Sequence, residues 1–258
     1  MQLLPDYPPQ WQCLLQNLGE WRGAFSDMSP TGVLLAKRPS VVTLEALDDG
    51  TTIRQTIRVD GSERVLVYRT LGRGILLFAD GAFSQGSLQW GPFGDFGAEL
   101  GLIQGDDRVR CAIVYQNSVL DRLTLIQEQR PVTKPLPTTY PLVTQLYPDW
   151  RTPAALTGQL TLTWDARTAH LHLELDAERW TWTGQRQEGN YYDGQGYRWL
   201  PLRPDTGVFI PPVIPRGQPF LLGLVWGHQG LLRRYDAQGA WTDLTQVRSV
   251  QLVSACAG

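Results

Sequence analysis

Lysine is almost missing from this 258-residue chain, which carries it only at Lys37 and Lys134. No stretch strings more than two basic residues together, and 23 basic against 25 acidic side chains leave a formal net charge of −2. Phosphate backbones are bound through clustered cations, so nucleic acid is excluded as the main partner. Long apolar runs are missing too, and none approaches the ~20 residues that a membrane-crossing helix needs. Cysteine occurs at Cys13, Cys111 and Cys256. An odd number at wide spacings, with no C-x-x-C, is no disulfide framework and fits a reduced, cytoplasmic protein. Met1 to Gln10 is polar and proline-rich and lacks the basic-then-apolar pattern of a secretory leader.

Chemistry-bearing motifs are equally scarce. There is no G-x-S-x-G, no phosphate loop followed by Lys and a helix, and only three histidines. His170 and His172 share one strand face, which leaves a metal half-site or two surface histidines as readings; three ligands are not at hand, so no metal is expected. His228 falls in the turn Trp226-Gly-His-Gln-Gly230. No cofactor is expected, and binding is favoured over catalysis.

What the chain does have is aromatic residues and turns: 10 Trp, 26 Gly and 18 Pro. Helical periodicity is confined to Pro9–Leu18. From Trp21 onward apolar residues alternate, with turn signals about every 8–12 residues, the pattern of an antiparallel barrel or sandwich. Strands are predicted near 21–26, 31–36, 39–47, 52–59, 63–69, 74–79, 82–90, 96–103, 107–115 and 119–128. Arg130-Pro-Val-Thr-Lys-Pro-Leu-Pro137 then interrupts them. Prolines remove ladder donors and favour an extended linker. The boundaries are therefore 1–130 for a first unit, 131–140 for the linker and 141–258 for a second unit.

The second unit echoes the first. Gly81-Ala-Phe83, Leu100-Gly-Leu-Ile103, Tyr115 and Arg122-Leu-Thr124 reappear in order as Gly207-Val-Phe209, Leu222-Gly-Leu-Val225, Tyr235 and Asp243-Leu-Thr245. A tandem duplication of one all-β unit explains that order.

Hairpin registers suggest what the interior holds. Asp49-Gly50 is a hairpin tip, and folding about it places Val42 against Ile57, Leu44 against Gln55 and Ala46 against Ile53, with Glu45 facing Arg54 outside. Gln55 then points among apolar residues, either as a buried amide with a local partner or as a ligand-facing group. The next strand puts Arg64, Leu66 and Tyr68 on one face and Val65 and Val67 on the other. If the first face is internal, Arg64 and Tyr68 join Gln55 and could grip a carboxylate on an apolar ligand; if not, they are solvated. Folding Val109–Ile126 about Gln116-Asn117 pairs Cys111 with Arg122 and Ile113 with Leu120. The stretch from Trp180 through Trp182, Tyr191, Tyr192 and Tyr197 to Trp199 reads as core packing or as a stacking surface for a flat ligand.

Gly19-Glu20-Trp21, at the start of the first strand, resembles the G-x-W of the calycin superfamily, which includes lipocalins and fatty-acid-binding proteins. The resemblance implies that Trp21 closes one end of a barrel while a late Arg packs across it: Arg122, with Arg130 in reserve. Trp11-Gln-Cys-Leu-Leu-Gln-Asn-Leu-Gly-Glu-Trp-Arg-Gly23, Thr52-Ile-Arg-Gln-Thr-Ile57 and Gly81-Ala-Phe-Ser-Gln-Gly-Ser-Leu88 resemble an uncharacterised cyanobacterial family of tandem lipocalin-like barrels. That resemblance implies an all-β fold of two tandem antiparallel calycin-like barrels with a short N-terminal helix. In the second barrel Leu156-Thr-Gly158 replaces Trp21-Arg-Gly23, so its closure is open to question. The function implied is a soluble binding protein for a small apolar or amphipathic molecule (a fatty acid, bilin or pigment-like ligand) through Gln55, Arg64 and Tyr68. The alternatives are a bilin lyase or chaperone with a phycobiliprotein as partner, and a structural or assembly factor with another protein as partner.

Overall fold

Thr52–Val59 alternates apolar and polar residues opposite a strand that does the same, and the two pair as the sequence predicts. In the computed structural model, which describes residues 10–131, 154–165, 168, 170–175, 180–194 and 196–255, Val42 opposes Ile57, Leu44 opposes Gln55 and Glu45 opposes Arg54. The tip is a 3-10 turn over Asp48–Gly50, with Asp48 and Gly50 at φ of 51° and 87°. The loop is thus longer than the two-residue turn expected, while the register is unchanged.

The first sheet has nine strands, not ten: β1 (Gly19–Met28), β2 (Leu34–Leu47), β3 (Thr52–Val59), β4 (Ser62–Tyr68), β5 (Ile75–Leu77), β6 (Phe83–Gly86), β7 (Phe96–Gln104), β8 (Asp107–Gln116) and β9 (Val119–Gln129). The two strands predicted at 31–36 and 39–47 run together as β2, because Pro39 is tolerated opposite Ala24 without a break. Sheet order is β4-β3-β2-β1-β9-β8-β7-β6-β5, so β4 and β5 are its two edges. The sheet curls, since Val42 and Ile53 from one half share a core with Ile103 from the other. Helix α1 (Gln10–Leu15) covers one end: Trp11 Nε1 donates to the Gly50 carbonyl at 2.6 Å, and the Gln10 amide pairs with both backbone groups of Leu77.

The second sheet comprises β10 (Ala154–Asp165), β11 (His170–Leu175), β12 (Trp180–Gln187), β13 (Asn190–Tyr192), β14 (Arg198–Arg203), β15 (Thr206–Ile210), β16 (Phe220–Trp226), β17 (Gln229–Tyr235) and β18 (Trp241–Ala255). It is a closed barrel. Closure was in question from sequence, and the seam that provides it is β10 against β18. An odd number of strands in an antiparallel meander brings first and last together running the same way, and this seam is parallel. The molecule is two tandem barrels, the first open along the β4/β5 edges and the second closed. Apart from Pro131, the predicted linker 131–140 lies outside the described residues, as do Cys256 and Trp150.

Three cores result. Trp11, Trp21, Val42 and Ile53 fill the concave side of the first sheet. Trp182, Trp199, Phe209 and Leu232 fill the second barrel. The third lies between the barrels, where the convex faces of β7–β9 meet those of β15–β18. For that reason β15 and β16 are buried at every position. At its centre two equivalent cross-strand pairs, Phe96/Tyr115 and Phe220/Tyr235, meet ring to ring, with Phe96 5.8 Å from Phe220 and 5.1 Å from Tyr235. Tyr115 donates its hydroxyl to the Pro211 carbonyl at 2.7 Å, tying the barrels together. Arg233 is fully buried in the same layer, donating to the Tyr235 hydroxyl, Ser84 Oγ and the Ser87 carbonyl, with its guanidinium 3.5 Å above the Trp241 ring.

Candidate functional site

The segment Arg69–Gly74 joins β4 to β5 without pairing them, and a small pocket, a cavity of about 60 Å³ open to solvent, lies along that gap. Its apolar wall comes from Leu14, Leu44, Leu71, Ile75, Leu77 and Phe83. Polar groups line the rest: Gln55 and Tyr68 from β3 and β4, Gln85 from β6, Arg108 and Arg110 from β8, and Asn17 after the helix.

Register settles the face that the sequence left open. Ile53 opposes Tyr68, Gln55 opposes Leu66 and Ile57 opposes Arg64, so all six share the concave face. Val65 and Val67 point outward and are about half exposed, at 49% and 53%. Tyr68 donates its hydroxyl to Gln55 Oε1 at 2.6 Å. Burial, reinforced by the Glu99 charge, pushes the Tyr68 phenol above its usual range, so it is a neutral donor. Arg64 shares the face but lies at the exposed end of β4, outside the pocket lining. Gln55 and Tyr68 are thus brought together, and Arg64 is not.

The cations that reach the pocket are ones the sequence reading missed. Arg108 and Arg110 alternate with Val109 and Cys111 along β8. The apolar pair turns outward into the layer between the barrels, so the arginines turn inward. Both are buried, at 3% and 6% exposure. Glu128, equally buried, takes Arg108 Nε on Oε2 at 2.8 Å and Arg110 Nη2 on Oε1 at 2.9 Å. Arg110 Nε also reaches Oε2, and its Nη1 donates to Glu99 Oε1 at 2.6 Å. Glu99 Oε2 in turn accepts from the Gln85 amide at 2.7 Å. Burial alone would raise the Glu128 carboxyl, but Arg110 and Arg108 together hold it below its usual value. Burial and the like charge of Arg110 push Arg108 down to about 10, still a cation at neutral pH. Arg108 Nη1 makes a long contact of 3.4 Å to Asn17 Oδ1, and Nη2 is buried with no acceptor among the described residues. A buried donor without an acceptor is costly and calls for an explanation.

Trp21 is fully buried beneath this network. Arg108 lies 4.2 Å from its ring centre and Arg130 4.5 Å. Arg122 does not pack there. It opposes Val114 and is exposed, because Asp121 is an extra residue in β9 at the Val114–Tyr115 step. The turn is Asn117-Ser118, both at positive φ, and Cys111 therefore faces Leu125, not Arg122. The reserve candidate, Arg130, stands where β9 meets the start of β1. It donates to the Leu18 carbonyl at 2.8 Å and the Gly105 carbonyl at 3.1 Å. Gly19 is required here twice over: its φ is +118°, and a Cβ would lie 2.8 Å from Arg130 Cδ.

Residues 8–133 match the family described as domain of unknown function DUF3598, N-terminal. A solved structure of a protein of unknown function from the DUF3598 family of Nostoc punctiforme is 28% identical, with a TM-score of 0.76, over 92% of this chain and 97% of that one. The N-terminal unit is similar to the DUF3598 family. Residues 141–252 match a second family, the C-terminal domain of biogenesis factor required for ATP synthase 1. No curated protein matches the chain.

The pocket and the Arg108–Glu128 network lie within the N-terminal unit. The interior of the second barrel is filled by its own side chains. Trp182 packs edge-on against Phe209 at 5.0 Å, Tyr197 stacks on Phe209 at 4.9 Å, and Trp182 Nε1 donates to Asp193. These aromatics are core, as the plainer sequence reading had it. His170 and His172 stack at 6.2 Å, and His172 shares a hydrogen bond with Thr183. Among the described residues no helix is long and apolar enough to cross a membrane.

Proposed function

We propose that this is a binding protein whose N-terminal unit takes one small, largely apolar molecule, such as a fatty acid derivative, a bilin or a related pigment, in the pocket between β4 and β5. One observation carries the reading: an apolar-walled pocket open along the β4/β5 gap has among its lining the Gln55–Tyr68 pair and two buried arginines, Arg108 and Arg110. Gln55 and Tyr68 line it too, with the Tyr68 hydroxyl on Gln55 Oε1. Evolution towards pure stability would have filled the gap. Native mass spectrometry of the protein purified from its source tests this. A stoichiometric small molecule, lost when Leu71→Trp fills the pocket, is the expected result. A bare chain mass from the source, together with no binding of apolar probes by the recombinant protein, would sink it.

A second reading, an assembly factor that holds another protein, is favoured by the match of residues 141–252 to an ATP synthase biogenesis factor domain. Phe93, 82% exposed beside Arg216, with Val119 and Val213 each 52% exposed, gives the molecule an apolar edge where the two barrels are bridged. Co-purification of identified ATP synthase subunits, abolished by Phe93→Ser while probe binding is unchanged, would establish it; probe binding without any such subunit would count against it.

A further inference from the structure

The two edges of the first sheet are unlike. β5 is three residues long, and the Gln10 amide takes both the N–H and the carbonyl of Leu77. β4 runs for seven residues, pairs with β3 without a bulge, contains no Pro or Lys, and is exposed at Glu63, Arg64, Val65 and Val67. A short or capped edge blocks pairing with another chain, and a bare one is a template for it.

The β3–β4 turn fixes which backbone groups are bare. Val59 opposes Ser62 across Asp60-Gly61, both at positive φ, a two-residue turn whose flanking residues exchange both backbone hydrogen bonds. Ser62, Arg64, Leu66 and Tyr68 therefore spend their backbone groups on β3. Glu63, Val65 and Val67, with Arg69 next in line, aim theirs at the open side and carry their side chains on the outer face.

We infer that β4 is the docking edge for β4 of a second copy of this chain, antiparallel about a two-fold axis at Leu66. In that register Val65 opposes Val67 of the partner subunit and Glu63 opposes Arg69 of the partner subunit, each pair occurring twice on the outer face. On the concave face Tyr68 opposes Arg64 of the partner subunit. Apolar, opposite-charge and cation–ring pairs are each favourable across strands. Glu63 already holds Arg58 at 2.7 Å, so each carboxylate lies between two guanidiniums. Arg73, further along the loop, lies beyond the paired run. Moving the axis to Val65 would set Glu63 against Val67, and moving it to Val67 would set Val65 against Arg69, so the charges select one register. The added strand runs along the β4/β5 gap and brings the partner's Arg64 to the side of the pocket that Tyr68 lines, the place the chain's own Arg64 does not reach. Pairing through β4 does not depend on a ligand.

One strand pair is a small interface, so the dimer should form on the order of 10 µM. Sedimentation velocity of the full chain from about 1 to 300 µM should show monomer passing to dimer. Val65→Lys with Val67→Lys should leave a monomer, because like charges then face each other. Glu63→Arg should weaken the dimer at least about tenfold, and adding Arg69→Glu to the same chain should restore it. Leu66→Cys, on the axis, should give a covalent dimer on oxidation, since opposed residues there lie ~4.5 Å apart. Val65→Cys should not, and the native chain controls for its own cysteines. Should the lysine variant not fold, the charge swap and the two cysteine variants decide the matter. A monomer at every concentration, a dimer indifferent to the lysines or to the charge swap, or cross-linking through Val65→Cys in place of Leu66→Cys overturns the pairing and leaves the binding reading intact.

Discussion

Replacing Glu128 by Gln should be the most damaging change of a single functional group in the first barrel. The carboxylate is fully buried and accepts from Arg108 Nε at 2.8 Å, Arg110 Nε at 3.0 Å and Arg110 Nη2 at 2.9 Å. Glutamine keeps one acceptor oxygen and turns an NH2 donor on a guanidinium N–H. Two buried cations are then left facing Glu99 alone. Breaking a buried ion pair from one side costs about 3–5 kcal/mol. A Coulomb figure of about 4 kcal/mol for unit charges ~4 Å apart at an effective dielectric near 20 is of the same size. For a chain of this length that is a fall in Tm of about 6–20 °C. Urea unfolding followed by tryptophan fluorescence measures it, with Trp21 as a local reporter beneath Arg108. The pH dependence has a definite sign. Glu128 titrates lower in the folded chain than its ordinary value of 4.5. Its contribution is therefore present above about pH 4.5 and is lost as pH falls through the depressed folded value. The gap between native sequence and variant should close on acidification over that window. A loss under about 1 kcal/mol at pH 7, or a gap that widens in acid, would refute the claim that this carboxylate holds both arginines.

Three further changes follow from the same geometry. Gly19→Ala should cost about 1–3 kcal/mol by urea unfolding, since it forces a side chain to positive φ and against Arg130; a neutral result would deny that Arg130 is fixed there. Tyr115→Phe removes the hydroxyl from a buried carbonyl between the barrels and should cost about 1–2 kcal/mol in the same assay, whereas an unchanged midpoint would mean the carbonyl finds another donor. Arg233→Lys should cost about 2 kcal/mol, because one ammonium cannot serve Tyr235, Ser84 and Ser87 in the geometry of a planar fork; full stability in the variant would show that the charge alone suffices.

The β2–β3 hairpin was legible because one face is apolar and the other pairs Glu45 with Arg54, so any slip puts charges against apolar residues. The β8–β9 hairpin has the same alternation and misled the sequence reading for two physical reasons. Positive φ at Asn117 and Ser118 moves the turn by one residue, and Asp121 inserts a bulge that the local pattern does not announce. Together they reassigned the partner of Cys111 and moved Arg122 away from Trp21. The second barrel looked the weaker of the two because it lacks the starting Trp, yet it is the closed one; closure came from a parallel seam between residues about 90 positions apart, which periodicity cannot register.

The missed arginines carry the more general point. Arg108 and Arg110 alternate with Val109, Cys111 and Ile113, the pattern of a strand with one apolar face and one charged face. In a sheet with one buried face the apolar side is the inner one. In β7–β9 both faces are covered, the concave one by the first core and the convex one by the second barrel. Duplication inverts the meaning of the pattern: the more apolar face is spent on the interface between the copies, and the mixed face becomes the interior. Phe96/Tyr115 and Phe220/Tyr235, the same pair in each repeat, meet at that interface. Buried cations inside the first barrel are therefore a consequence of the tandem arrangement. The N-terminal unit separated from the second barrel should expose Val109, Cys111, Ile113 and Tyr115 and fail to keep Arg108 and Arg110 enclosed. Expression of residues 1–131 alone, assayed by hydrogen exchange across β8, would show this as lost protection. A stably protected β8 in the isolated unit would mean that the curl of the first sheet, and not the neighbouring barrel, buries the pair.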